Sequence, residues 1–94
     1  MPNSNRTHIS IIADILDTAR QYSYEGYKGA PVTHLIRKAN VPHRRLSSIV
    51  LELKTYGLLN EVPDSKYRIS EKGMEFLNSY NQFKGFAENF GLKV

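Results

Sequence analysis

Cysteine is missing from all 94 residues, so neither a disulfide nor a thiolate metal site is available. No stretch approaches the roughly 20 apolar residues of a membrane span, and no charged-then-apolar leader opens the chain. A soluble, cytoplasmic protein is expected. Glycine-rich phosphate loops, HExxH and nucleophile elbows are all absent. The three histidines, His8, His34 and His43, fall on separate predicted elements without ligand-spaced partners, which argues against a metal. Ser47 and Ser48 lie near His43, but no third orienting group accompanies them. No enzyme, cofactor or metal is expected. Acid is the last scarcity: between residues 33 and 56 the only carboxylate is Glu52.

That acid-poor stretch holds the strongest pattern in the chain. Leu35, Ile36 and Ala39 mark a short helix, and Asn40, tolerant of the left-handed conformation, follows where the chain must reverse. Val41 is an apolar plug, and Pro42 sets the entry angle of a second helix. Leu46, Ile49, Val50 and Leu53 then recur at helical spacing as a buried face. Arg44, Ser48, Leu51 and Thr55 fall opposite them, with Arg45 and Ser47 on the flanks. This is a helix-turn-helix whose second helix shows an open face to a partner. Its cations, Arg37, Lys38, Arg44, Arg45 and Lys54, outweigh Glu52 by four charges, which equals the +4 of the whole chain. Both flanking regions balance. Clustered cations gain from counterion release, so a polyanion is the expected partner, the alternative being an ordinary solvated basic face.

At 94 residues the chain has room for one domain built around one core. Ile9, Ile12, Ile15, Leu16 and Ala19 predict a first amphipathic helix over about 6–22, capped by Ser4 or Asn5. Tyr22, Tyr24 and Tyr27 crowd a loop broken by Gly26, Gly29 and Pro31. These rings either form a contact surface for a base or a protein partner, or they cover the core's edge. Residues 58–62 and 66–69 read as two strands around Pro63-Asp64-Ser65, with Lys66 and Arg68 on one face. These two cations either meet flanking phosphates or are neutralised by Glu61 and Asp64. Ser70 caps a last helix reaching about Phe90, stopped by Gly91. Met74 and Leu77 face the domain, while Phe76, Tyr80, Phe83, Ala87 and Phe90 step by 4, 3, 4 and 3, with Phe86 beside them. That is the seam of a coiled coil, predicting a homodimer through this helix, unless the helix folds back along the first. The predicted fold is mainly α with a small β hairpin: a winged helix-turn-helix core over 1–70 and a C-terminal dimerisation helix over 71–94.

Helix, helix-turn-helix, two-stranded wing and long helix together resemble an archaeal winged-helix DNA-binding family. That family contains small coiled-coil-dimer chromatin proteins and related transcriptional regulators. The resemblance rests on ADILDTAR (13–20), THLIRKANV (33–41), Gly57-Leu58-Leu59, Tyr67-Arg68-Ile69-Ser70-Glu71-Lys72-Gly73 and Phe76-Leu77, and covers about residues 6–80. It implies a nucleoid-associated homodimer on double-stranded DNA, acting as a regulator or a chromatin protein. His43, Arg44, Arg45, Ser47 and Ser48 are the recognition positions that the resemblance implies. On this reading Arg44 and Arg45 enter the major groove, and Arg37 and Lys38 approach phosphates. Pro42 departs from the family's usual Ser or Thr cap, the tyrosine loop is longer, and the last helix is shorter than an extended coiled coil. The competing expectation is a winged-helix protein-interaction module that docks a partner on Leu51 and the tyrosine loop.

Overall fold

The computed structural model describes residues 7–23 and 28–93. Its first helix, α1 (His8–Gln21), begins at Thr7, whose hydroxyl accepts a hydrogen bond from the Ser10 N–H at 3.0 Å. Thr7 is therefore the cap, one turn inside the expected Ser4 or Asn5, which lie outside the described residues. Ile11, Ile15, Leu16 and Ala19 are buried, whereas Ile9 faces outward. The apolar stripe thus runs through Ile11 and not Ile9. Thr18, buried among the core side chains, returns its hydroxyl to the Asp14 carbonyl at 2.9 Å, which removes the penalty of an unpaired donor.

At the end of the tyrosine-rich stretch, where Gly29 and Pro31 predict loop, two residues instead form β1 (Ala30–Pro31). The chain then enters α2 (Val32–Ala39) and α3 (His43–Thr55), followed by β2 (Leu59–Val62), β3 (Lys66–Ile69) and α4 (Glu71–Glu88). The expected hairpin is consequently a three-stranded antiparallel sheet in the order β1-β3-β2. Ala30 pairs with Tyr67, and Leu59, Asn60, Glu61 and Val62 pair with Ile69, Arg68, Tyr67 and Lys66. Pleating places Leu59, Glu61, Tyr67 and Ile69 on one face and Asn60, Val62, Lys66 and Arg68 on the other. The first face meets the core; the second carries the two cations.

The core gathers α1, the inner faces of α2 and α3, Leu59, and the first half of α4. Two junctions fix α3 within it. At its end, Gly57 takes the left-handed conformation (φ 76), and the Leu58 N–H reaches back to the Leu53 carbonyl at 2.8 Å, closing a Schellman turn. The Ser70 hydroxyl then donates to the Gly57 carbonyl at 2.6 Å while accepting from the Gly73 N–H at 2.9 Å. One side chain thereby links the end of α3 to the start of α4. Gly73 is required there, since a Cβ would stand 2.4 Å from the Leu58 carbonyl oxygen.

Helix α4 departs from the expected seam. Tyr80 is 8% exposed and belongs to the subunit's own core, and Ala87 is 3% exposed within the single chain. Phe76 is half-buried against the same core. Tyr80 and Phe76 are thus occupied internally, wholly or in part, because the first half of α4 packs along α1, whereas Ala87 is buried near the end of the helix, outside that core cluster. The fold-back that the sequence left open accounts for that half. Beyond Tyr80 the helix and the turn that follows it show Phe83, Phe86 and Phe90 to solvent, at 56, 61 and 68% exposure, with the last two rings edge-on at 5.1 Å.

Candidate nucleic-acid interface

The reversal between α2 and α3 is built as its residues require. Asn40 is left-handed at φ 56 and ψ 47, and its N–H donates to the Ile36 carbonyl at 2.9 Å. Val41 packs against the core. Both helices start on proline: Pro31 precedes α2, Pro42 precedes α3, and neither first turn has a side-chain acceptor or an acid. The first N–H groups of α3 therefore remain open to solvent or to an anion.

Burying Leu46, Ile49, Val50 and Leu53 forces the rest of α3 outward. His43, Arg44, Arg45, Ser47 and Ser48 are all exposed, as are Arg37 and Lys38 on α2. Among the described residues none of Arg37, Lys38, Arg44 and Arg45 makes an ion pair. The acid nearest in sequence is otherwise engaged, for the Glu52 carboxylate accepts from His8 Nε2 at 3.1 Å, across to α1. At the far end of α3, Lys54 Nζ donates to Glu61 Oε1 at 2.7 Å. That hydrogen bond, with the attraction of the same carboxylate, raises the Lys54 ammonium above the ordinary lysine range. Lys54 is accordingly tied to β2, while the cations nearer the start of α3 are open.

The same pair resolves the charge of the sheet. Register sets Glu61 on the face opposite Lys66 and Arg68, so it engages Lys54 and leaves those two unneutralised. Among the described residues Asp64 makes no ion pair with them either. Lys28, which sequence reasoning left in the loop, joins them. With Val62, Pro63 and Asp64, the three cations line a concavity of about 420 Å³. Only the pairing of β1 with β3 brings Lys28 there, a long-range event without a local signature. Of the loop tyrosines, Tyr22 is hydrogen-bonded to His34 Nδ1, their rings crossing edge-on at 4.8 Å. It is half-buried against the core, as a ring covering the core's edge would be. Tyr24 and Tyr27 lie outside the described residues. Among the described residues no three His, Asp or Glu side chains gather as a metal site, and no helix is long and apolar enough to cross a membrane.

A family model described as winged helix-turn-helix matches residues 5–88, nearly the full length. The chain belongs to the winged helix-turn-helix family. In the terms of that fold, α3 is the recognition helix and the β2–β3 hairpin is the wing. Among solved structures, the chain is similar to Sso10a-2, a DNA-binding protein from Sulfolobus solfataricus. The two share 25% identity with a TM-score of 0.73, over 90% of this chain and 85% of the other. No curated protein sequence matches the chain.

Proposed function

We propose that the protein binds double-stranded DNA as a homodimer, with α3 in the major groove. The observation that carries this reading is the outward display of Arg37, Lys38, Arg44 and Arg45 without acidic partners among the described residues. Guanidinium groups on such a helix suit both phosphates and the O6/N7 edge of guanine. Ser47, Ser48 and His43 complete the contact, and Lys66, Arg68 and the newly placed Lys28 approach phosphates from the wing. Membership in a winged helix-turn-helix family and the likeness to a DNA-binding archaeal protein support it. Phe83, Phe86 and Phe90 supply the apolar surface for a second copy, a patch unusual for a lone small domain. The role is regulatory or chromatin-type, and a footprint on random-sequence DNA distinguishes a defined site from general coverage.

Replacing Arg44 and Arg45 together by Ala should weaken duplex binding at least about tenfold and reduce the dependence of affinity on salt. Unchanged affinity would refute the placement of α3. A Phe83→Ser, Phe86→Ser, Phe90→Ser variant should sediment as a monomer where the wild type is dimeric. A monomeric wild type contradicts the assembly.

One observation favours a second reading, a protein-docking module. Leu51 lies on the outward face of α3 at 62% exposure. A module of that kind would leave DNA at physiological salt, whereas the proposed function requires a structured complex to persist there.

A further inference from the structure

Leu51 is the one apolar side chain on the outward face of α3, and the DNA reading leaves it without a task. It projects among Arg44, Ser48 and Thr55, all exposed. Beside it opens a cleft of about 110 Å³ between α3, the start of α2 and β3, lined by Val32, Ser47, Val50, Leu51, Lys54 and Tyr67. Val50 is buried and Val32 and Tyr67 are half-buried, so with Leu51 they give the cleft an apolar side, and Ser47 and Lys54 give it a polar side of about equal share. Lys54, its charged member, is held by Glu61 at 2.7 Å. An apolar side chain gains nothing from a phosphate or from a base donor or acceptor. On the major-groove edges of the four base pairs, the only apolar feature is the C5-methyl group of thymine.

Resting on the DNA-binding reading, we propose that Leu51 and the adjoining cleft receive thymine methyl groups, biasing the protein toward thymine-containing duplex through the major groove. Charge selects this occupant over an apolar protein surface. Arg44 and Arg45 stand exposed about two turns before the leucine on α3, and a partner without negative charge covering that face would have to bury them uncompensated. The neighbouring hydroxyls do not compete for the role, because serine donates or accepts at any base and so discriminates little.

The test compares alternating A–T duplex with the same duplex carrying deoxyuridine for thymidine. Charge, phosphate spacing and hydrogen-bonding edges are identical, and only the methyl differs. Wild type should prefer the thymine duplex by about fourfold for each methyl buried, the worth of one apolar carbon removed from water. The preference should vanish in Leu51→Ala and persist in Leu51→Met, with the salt dependence unchanged in both because no phosphate contact is lost. Cytosine methylated at C5 should improve binding of an alternating G–C duplex by the same route. Equal affinity of wild type for the two A–T duplexes would overturn the assignment, as would a preference that survives in Leu51→Ala. If Arg44→Ala, Arg45→Ala weakens binding while the methyl has no effect, this inference alone fails. If wild type binds neither duplex, the DNA reading fails and takes the inference with it.

Discussion

Helices α1 and α4 begin on hydroxyl caps, Thr7 and Ser70, whereas α2 and α3 begin on Pro31 and Pro42, with no side chain accepting from their first turns. Charge separates α1 from the cations of the helix-turn-helix as well. On α1, Asp17 is consumed by Arg20 at 2.6 Å and by Gln21 at 3.1 Å, while the cations of α2 and early α3 make no ion pair among the described residues. The scaffold helices both close their first turns with a hydroxyl, and α1 also pairs Asp17 with its own groups. The helix-turn-helix is held chiefly from its inner faces, by Leu35, Ala39, Leu46, Ile49, Val50 and Leu53, with Glu52 and Lys54 tying the second half of α3 to His8 and Glu61. Stability and binding therefore reside on opposite sides of one helix, and substitutions should separate them.

The largest expected effect is on the inner side. Leu46→Ala, at a fully buried position of α3, should cost about 2–5 kcal/mol by denaturant unfolding, through lost burial and a residual cavity. A much smaller loss would mean that the inner face does not hold the helix. Next comes Gly73→Ala. Its Cβ would meet the Leu58 carbonyl at 2.4 Å and Ile69 Cγ1 at 2.7 Å, an overpacking worth about 1–3 kcal/mol. Ser70→Ala should remove about 1 kcal/mol as a lost cap, somewhat more because the hydroxyl also serves Gly57. Gly85→Ala reverses the sign, since nothing lies within 4 Å of the added carbon and alanine favours a helix by up to about 1 kcal/mol. A rise in melting temperature for Gly85→Ala beside a fall for Gly73→Ala would set the packed half of α4 apart from its free half. Smallest of all, Arg44→Ala, Arg45→Ala should move stability by less than about 0.5 kcal/mol, because neither side chain has an intramolecular ion pair among the described residues.

What the sequence made legible follows the range of each interaction. The left-handed Asn40, the cap at Ser70, the Gly57 stop and the inner stripe of α3 depend on neighbours within a turn or two, and their residue types state them directly. Periodicity alone exposed Arg44, Ser48 and Leu51 by burying their neighbours. Strand β1 escaped, because two residues have no period and Ala30–Pro31 becomes a strand only when β3 arrives beside it. Lys28 escaped with it. The partners of Glu52 and Glu61 are 44 and 7 residues away, so composition counted their charge without locating it. Tyr80 fitted the spacing of a seam between chains, and spacing cannot tell which apolar surface reaches a ring first. Here it is the subunit's own core.

Amide chemical-shift mapping with a short duplex tests the central claim most directly. Titration should shift residues 37–51 and the wing residues 66–68 together, with the response fading as salt is raised, while 83–90 stay unmoved. Shifts confined to the exposed phenylalanines of α4, or a set on α3 indifferent to salt, would contradict the assignment of its basic face to DNA.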